Sequence, residues 1–204
     1  MSSPESGGPE SSAPGTYDRG VDAARDEETG PDDERIAGEV RATVAATVRR
    51  LAEAGVRDEA LARYIPSRRV LLIPRPSVME PIARVWRLGA LLLARDGRLF
   101  ATGSITRATE PGRSGYQSQS AEVRREYRAA AFRGRFAAGE AVNYDAVEIG
   151  LGAEALRSSK GPVILRADGA AVLWSAAASE ASAIPFAAYL GERAELLLNP
   201  PQGA

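Results

Sequence analysis

Arginine and serine side chains crowd one short part of this chain. Arg107, Arg113, Ser114, Ser118 and Ser120 surround a Gly/Ser/Gln-rich loop, and Arg124 and Arg128 follow, four residues apart. A guanidinium presents a planar fork of donors that matches the oxygens of a phosphate or carboxylate. With Ser120 as the cap of a helix starting at Ala121, the free N–H groups of the first turn add partial positive charge at the same place. The residues therefore point to anion binding by Arg107, Arg113, Ser118, Ser120, Arg124 and Arg128, with Glu122 competing for the same N–H groups.

Composition removes most other chemistry. The sequence has no His and no Cys, and its one lysine is Lys160. A Ser-His-Asp relay, a Cys-His pair, a Cys/His zinc site and a disulfide are excluded, and a Schiff base could rest only on Lys160. Glu110, Glu140, Asp145 and Glu148 fall near expected strand ends or loops, but no spacing selects a pair for acid and base work. No run of acids has the spacing of a calcium loop, so neither metal nor cofactor is expected. Trp86 and Trp174, each in an expected hairpin strand, read as core.

Around the candidate helix Arg124, Arg125, Arg128, Arg133 and Arg135 make a basic face that Glu122 and Glu126 interrupt. No helix-turn-helix, RNP pattern or Gly-x-x-Gly loop accompanies it, so nucleic acid is not the expected partner.

The elements that must position these side chains follow from periodicity. Residues 1–35 are rich in Ser, Gly, Pro, Asp and Glu and carry a net charge of −7, leaving +6 on the remainder of a chain whose total is −1. They read as a disordered acidic tail, which solubilises the chain or lies on its arginine face, and residues 36–204 read as one domain. Ile36, Val40, Val44, Val48 and Leu51 predict a helix ending near Gly55. Asp58 caps a short second helix over DEALARYI, stopped by Pro66. RVLLI at 69–73 is extended, and Pro74, Pro76 and Pro81 should prevent regular pairing after it.

Asp96-Gly97 between two apolar runs predicts a type I′ hairpin of residues 85–95 with 98–107, and Asp168-Gly169 predicts a second. The central helix spans 121–133 with Val123, Tyr127 and Ala130 or Ala131 inward, AVNYDAVEI at 141–149 is a third strand, and Pro185 opens a closing helix carrying Phe186, Tyr189, Leu190 and Leu197. The expected fold is α+β, with two Asp-Gly hairpins forming a mainly antiparallel sheet packed by N-terminal, central and C-terminal helices.

VWRLGALLLARDGRLFATGSITRATEPGR, SAEVRREYRAAAFRGRFAAGEAVNYDA and PFAAYLGERAELLLNPP together resemble a group of short proteins of GC-rich bacteria labelled glutaminase, over about residues 40–204. The resemblance implies a shared fold and, by its label, an amide hydrolase. It passes on no site residue: the Ser-x-x-Lys of serine-dependent glutaminases has Arg157 in place of Ser before Lys160. The residues themselves favour a non-catalytic binding or scaffolding domain whose basic surface meets a small anionic ligand or an acidic protein. Neither a bilayer-spanning stretch nor a secretory signal is apparent, so the expected compartment is the cytoplasm and no membrane partner is expected; a homodimer through a hairpin edge is compatible.

Overall fold

The computed structural model describes residues 30–70, 73–111, 118–175 and 177–201. Helix α1, Pro31–Glu53, begins inside the span that composition assigns to the tail. Pro31 suits the first helical position, and Asp32, Asp33 and Glu34 in the first turn complement the dipole, so acids that look like tail are good helix openers. Arg157 ion-pairs with Asp33, and Arg41 donates to Glu34 at 2.8 Å. The stripe buries as the periodicity predicts, with Ile36, Val40, Val44 and Leu51 all in the core.

Strands β1 (Glu59–Ile65), β2 (Arg68–Val70), β3 (Ile73–Arg75) and β4 (Val78–Leu88) follow. β1 corrects the expected second helix. It pairs antiparallel with β4 on one side and parallel with β8 (Ala141–Tyr144) on the other, and a strand covered on both faces loses the alternation that would mark it as one. The prolines also pair more than expected. Pro74 sits in the short ribbon β2–β3, and Pro81 lies within β4 opposite Ala62, where a register shift beside Leu61 absorbs it.

Next come β5 (Leu91–Ala94), β6 (Leu99–Ala101) and β7 (Ser104–Arg107). The run expected as one strand over 85–95 turns back on itself at Gly89, whose φ is +65°, so β4 pairs with β5 before β5 pairs with β6. At the Asp-Gly turn only Gly97 has positive φ, and its N–H donates to Ala94 O at 3.0 Å. The turn is therefore a three-residue loop with glycine in the left-handed position, not the expected type I′.

After α2 (Gln119–Arg133) come β8, β9 (Val147–Ile149), the short helix α3 (Ala153–Arg157), the hairpin β10 (Val163–Arg166) with β11 (Gly169–Val172), β12 (Ile184–Pro185) and α4 (Phe186–Leu198). The single strand expected at 141–149 is broken into β8 and β9 by Asp145, whose φ is +55°.

The seven-stranded sheet has the order β7-β8-β1-β4-β5-β6-β9, and its pairing closes it. Residues 99–107 run antiparallel to 141–149 in one register, from Leu99 opposite Ile149 to Arg107 opposite Ala141. Both segments bend where Gly103 meets Asp145, so the pair links β5 at one end of the sheet to β1 at the other. Leu61, Val85, Leu92, Ala94 and Phe100 fill the enclosed interior with no helical residue among them. One outer face, including Trp86, Leu91, Leu93 and Leu99, packs on α1, α3, α4 and the second hairpin. The other, including Ala60, Met79 and Val142, packs on Ala130 and Ala131 of α2.

The domain is thus α+β with a mainly antiparallel mixed sheet. The second Asp-Gly hairpin forms, with Ala167 and Asp168 at its turn, but it pairs with β12 in a separate three-stranded sheet. No helix among the described residues is long and apolar enough to cross a membrane.

Candidate functional site

α2 lies across the sheet from β7 to β4, passing over β8 and β1, and its inward face explains how close it comes. Ala129, Ala130 and Ala131 are buried, while Val123, expected inside, is 48% exposed. Small residues at the contact leave the larger side chains of the preceding turns to overhang the sheet. Arg124, Tyr127 and Arg128 share one helical face and, with Arg107 from β7, Tyr144 from β8 and Glu59 from β1, line a cavity of about 450 Å³.

Three of the sequence-derived anion-site residues therefore converge: Arg107, Arg124 and Arg128. Arg107 Nη1 donates to Gly139 O at 3.1 Å, which anchors that guanidinium and leaves its other donors. Arg124 and Arg128 make no side-chain hydrogen bond and no ion pair among the described residues. Ser118, not Ser120, is the cap residue of α2, and no cap bond comes from its side chain; its Oγ lies 3.3 Å from Ser120 Oγ, and neither serine lines the cavity. Arg113 and Ser114 lie outside the described residues. Arg133 is used structurally, donating to Ser77 O at 2.6 Å and to Glu126 at 2.8 Å, which ties the end of α2 to the start of β4.

Sequence reasoning missed the polar cluster beside the cavity. Asn143 is 0% exposed; its Nδ2 donates to Glu59 Oε2 at 2.8 Å and to Ala60 O at 3.0 Å, and its Oδ1 accepts from Arg87. Arg87 Nε lies 3.7 Å from Glu59 Oε2. Glu59 also lines the cavity, so this polar cluster stands at the cavity's wall. Asn143, expected only as part of the strand at 141–149, is the clamp that orients Glu59.

A smaller cavity of about 240 Å³ adjoins the first and shares Glu59 and Arg107 with it. There Arg84 donates to both Asp58 and Glu140, and Arg95 donates to Asp58. Burial works to raise the Asp58 carboxyl, but the hydrogen bonds from Arg95 and Arg84 outweigh it and hold the carboxyl below its ordinary value. The bond from Arg84 does the same for Glu140 against a smaller burial effect. These charges satisfy one another, whereas those of Arg124 and Arg128 are open.

No family model, curated protein or solved structure matches this chain.

The geometry therefore stands alone. Elsewhere, a cavity of about 470 Å³ is lined by Lys160, Pro162 and Trp174, and Trp174 is 58% exposed rather than core, because it follows the last paired residue of β11. Trp86 is core as expected, with Nε1 donating to Val56 O at 3.0 Å.

Proposed function

We propose that this chain is a non-catalytic binding domain that holds a small anionic ligand, or an acidic side chain of a protein partner, in the cavity between α2 and the sheet. One observation carries the reading: guanidinium groups from a helix and a strand line one cavity, and two of them, Arg124 and Arg128, form no ion pair among the described residues. Its volume falls in the range of small-molecule sites and far exceeds what a lone inorganic ion fills, so the anion belongs to an organic body that can rest on Tyr127.

Titration calorimetry with inorganic phosphate and with an acidic peptide tests it. Arg124→Glu with Arg128→Glu should weaken binding by at least about tenfold, the order of one charge-assisted hydrogen bond lost. Affinity should fall with added salt, while Tm stays near wild type because neither side chain forms a hydrogen bond or ion pair among the described residues. Unaltered affinity in the double variant rejects this surface. The hydrolase reading implied by the resemblance predicts ammonia release from glutamine, lost on replacing one Ser or Asp; the binding reading predicts none.

A further inference from the structure

Opposite charges that share a cavity ordinarily pair, since a charge left unmatched at a partly dry site costs solvation. Here they do not. Glu59 lines the same cavity as Arg107, Arg124 and Arg128, yet its only ion-pair partner among the described residues is Arg87. Glu59 is held by other partners. Glu59 Oε2 is held by the buried Asn143 amide, which is fixed in turn by Arg87 and by Ala60 O. Oε1 has no hydrogen-bond partner among the described residues. Arg107 enters the cavity from β7, Arg124 and Arg128 from α2, and Glu59 from β1.

We propose that the cavity is built for a dipolar ligand: a small molecule bearing a phosphate or carboxylate for the arginines and, a few bonds away, a protonated amine for Glu59. The inference rests on the anion-binding reading and names the ligand's second group. A site for a plain anion would gain nothing from a carboxylate clamped in its wall, because that carboxylate repels the anion. A site for a zwitterion needs both charges presented and prevented from collapsing onto each other, and the Asn143 clamp supplies that preorganisation. Water bridging Glu59 to an arginine in the free protein would be displaced by the amine on binding.

Matched pairs separate the two ideas. Ethyl phosphate is compared with O-phosphoethanolamine, and propionate with β-alanine, by calorimetry on the full chain at neutral pH. The amine-bearing member of at least one pair should bind about tenfold tighter, as expected for one added charge-assisted hydrogen bond. Glu59→Gln keeps an amide oxygen for Asn143 and should erase that preference, while ethyl phosphate binds it at least as tightly because a repelling charge has gone. Arg128→Gln should weaken every compound that binds. Equal affinities within both pairs, or a preference that survives in Glu59→Gln, overturn the dipolar ligand and leave the anion reading standing. Failure of all four compounds to bind removes both.

Discussion

Arg84 lies between two carboxylates, and its surroundings show how a charge can belong to the fold and not to a ligand. It donates to Asp58 Oδ1 at 2.9 Å through Nε and also to Glu140, while Arg95 closes the group from the turn after β5. The network joins the start of β1, β4, the turn between β5 and β6 and the segment before β8. Both carboxyls are held below their ordinary values, so they bind fewer protons folded than unfolded. Their stabilisation is complete above the unfolded carboxylate range near pH 4 and is lost as pH falls through the depressed folded values. Asp58→Asn should cost about 1 kcal/mol at neutral pH, a modest figure because Arg84 and Arg95 remain half in water. Urea unfolding at pH 7 and at pH 3.5 checks it: the gap between wild type and Asp58→Asn should narrow in acid, and a constant gap would mean that the carboxylate contributes no charge-dependent stability.

At the scale of elements, the decisive joint is the bend shared by residues 99–107 and 141–149. A Cβ on Gly103 would stand 2.2 Å from the Asp145 carbonyl oxygen, a backbone atom that cannot turn aside, so only glycine lets the two bent segments cross and close the sheet. Gly103→Ala should therefore destabilise by about 1–3 kcal/mol in urea unfolding, the range for forcing atoms into a packed place. Gly38→Ala in α1 meets nothing nearer than Arg41 at 3.9 Å and should instead stabilise by about 0.5–1 kcal/mol. Equal effects from the two would deny that the bend is tight.

The same joint marks where sequence reading works and where it stops. Helical stripes such as Ile36 to Leu51, and apolar runs around Asp96-Gly97, declare themselves because their pattern is local. β1 does not, since Ala60, Leu61 and Ala62 are all buried, two against α2 and one inside the closed sheet. Arg107, Arg124 and Arg128 were legible as a cluster because sequence proximity brought them near one another. The Glu59–Asn143 and Arg87–Asn143 contacts span 84 and 56 residues, and only the closure of the sheet creates them.

For the whole molecule the governing quantity is how charge is divided along the chain. Residues 1–29 hold seven acids, Glu5, Glu10, Asp18, Asp22, Asp26, Glu27 and Glu28, against Arg19 and Arg25, while the remainder is basic and presents open guanidiniums in its cavity. A tethered acidic segment raises the local concentration of carboxylates around that cavity whatever path it takes, and a dissolved anion must compete with them. Exchanging the seven acids for Asn and Gln in the full chain should therefore tighten phosphate binding at low ionic strength. The gain should shrink as salt shortens the screening length, from about 30 Å at 0.01 M to about 3 Å at 1 M. Calorimetry across that range separates competition from a general field effect. Competition for the cavity predicts that Arg124→Glu with Arg128→Glu removes both phosphate binding and its sensitivity to the acids, whereas a diffuse field would leave the residual binding of the double variant equally responsive to them.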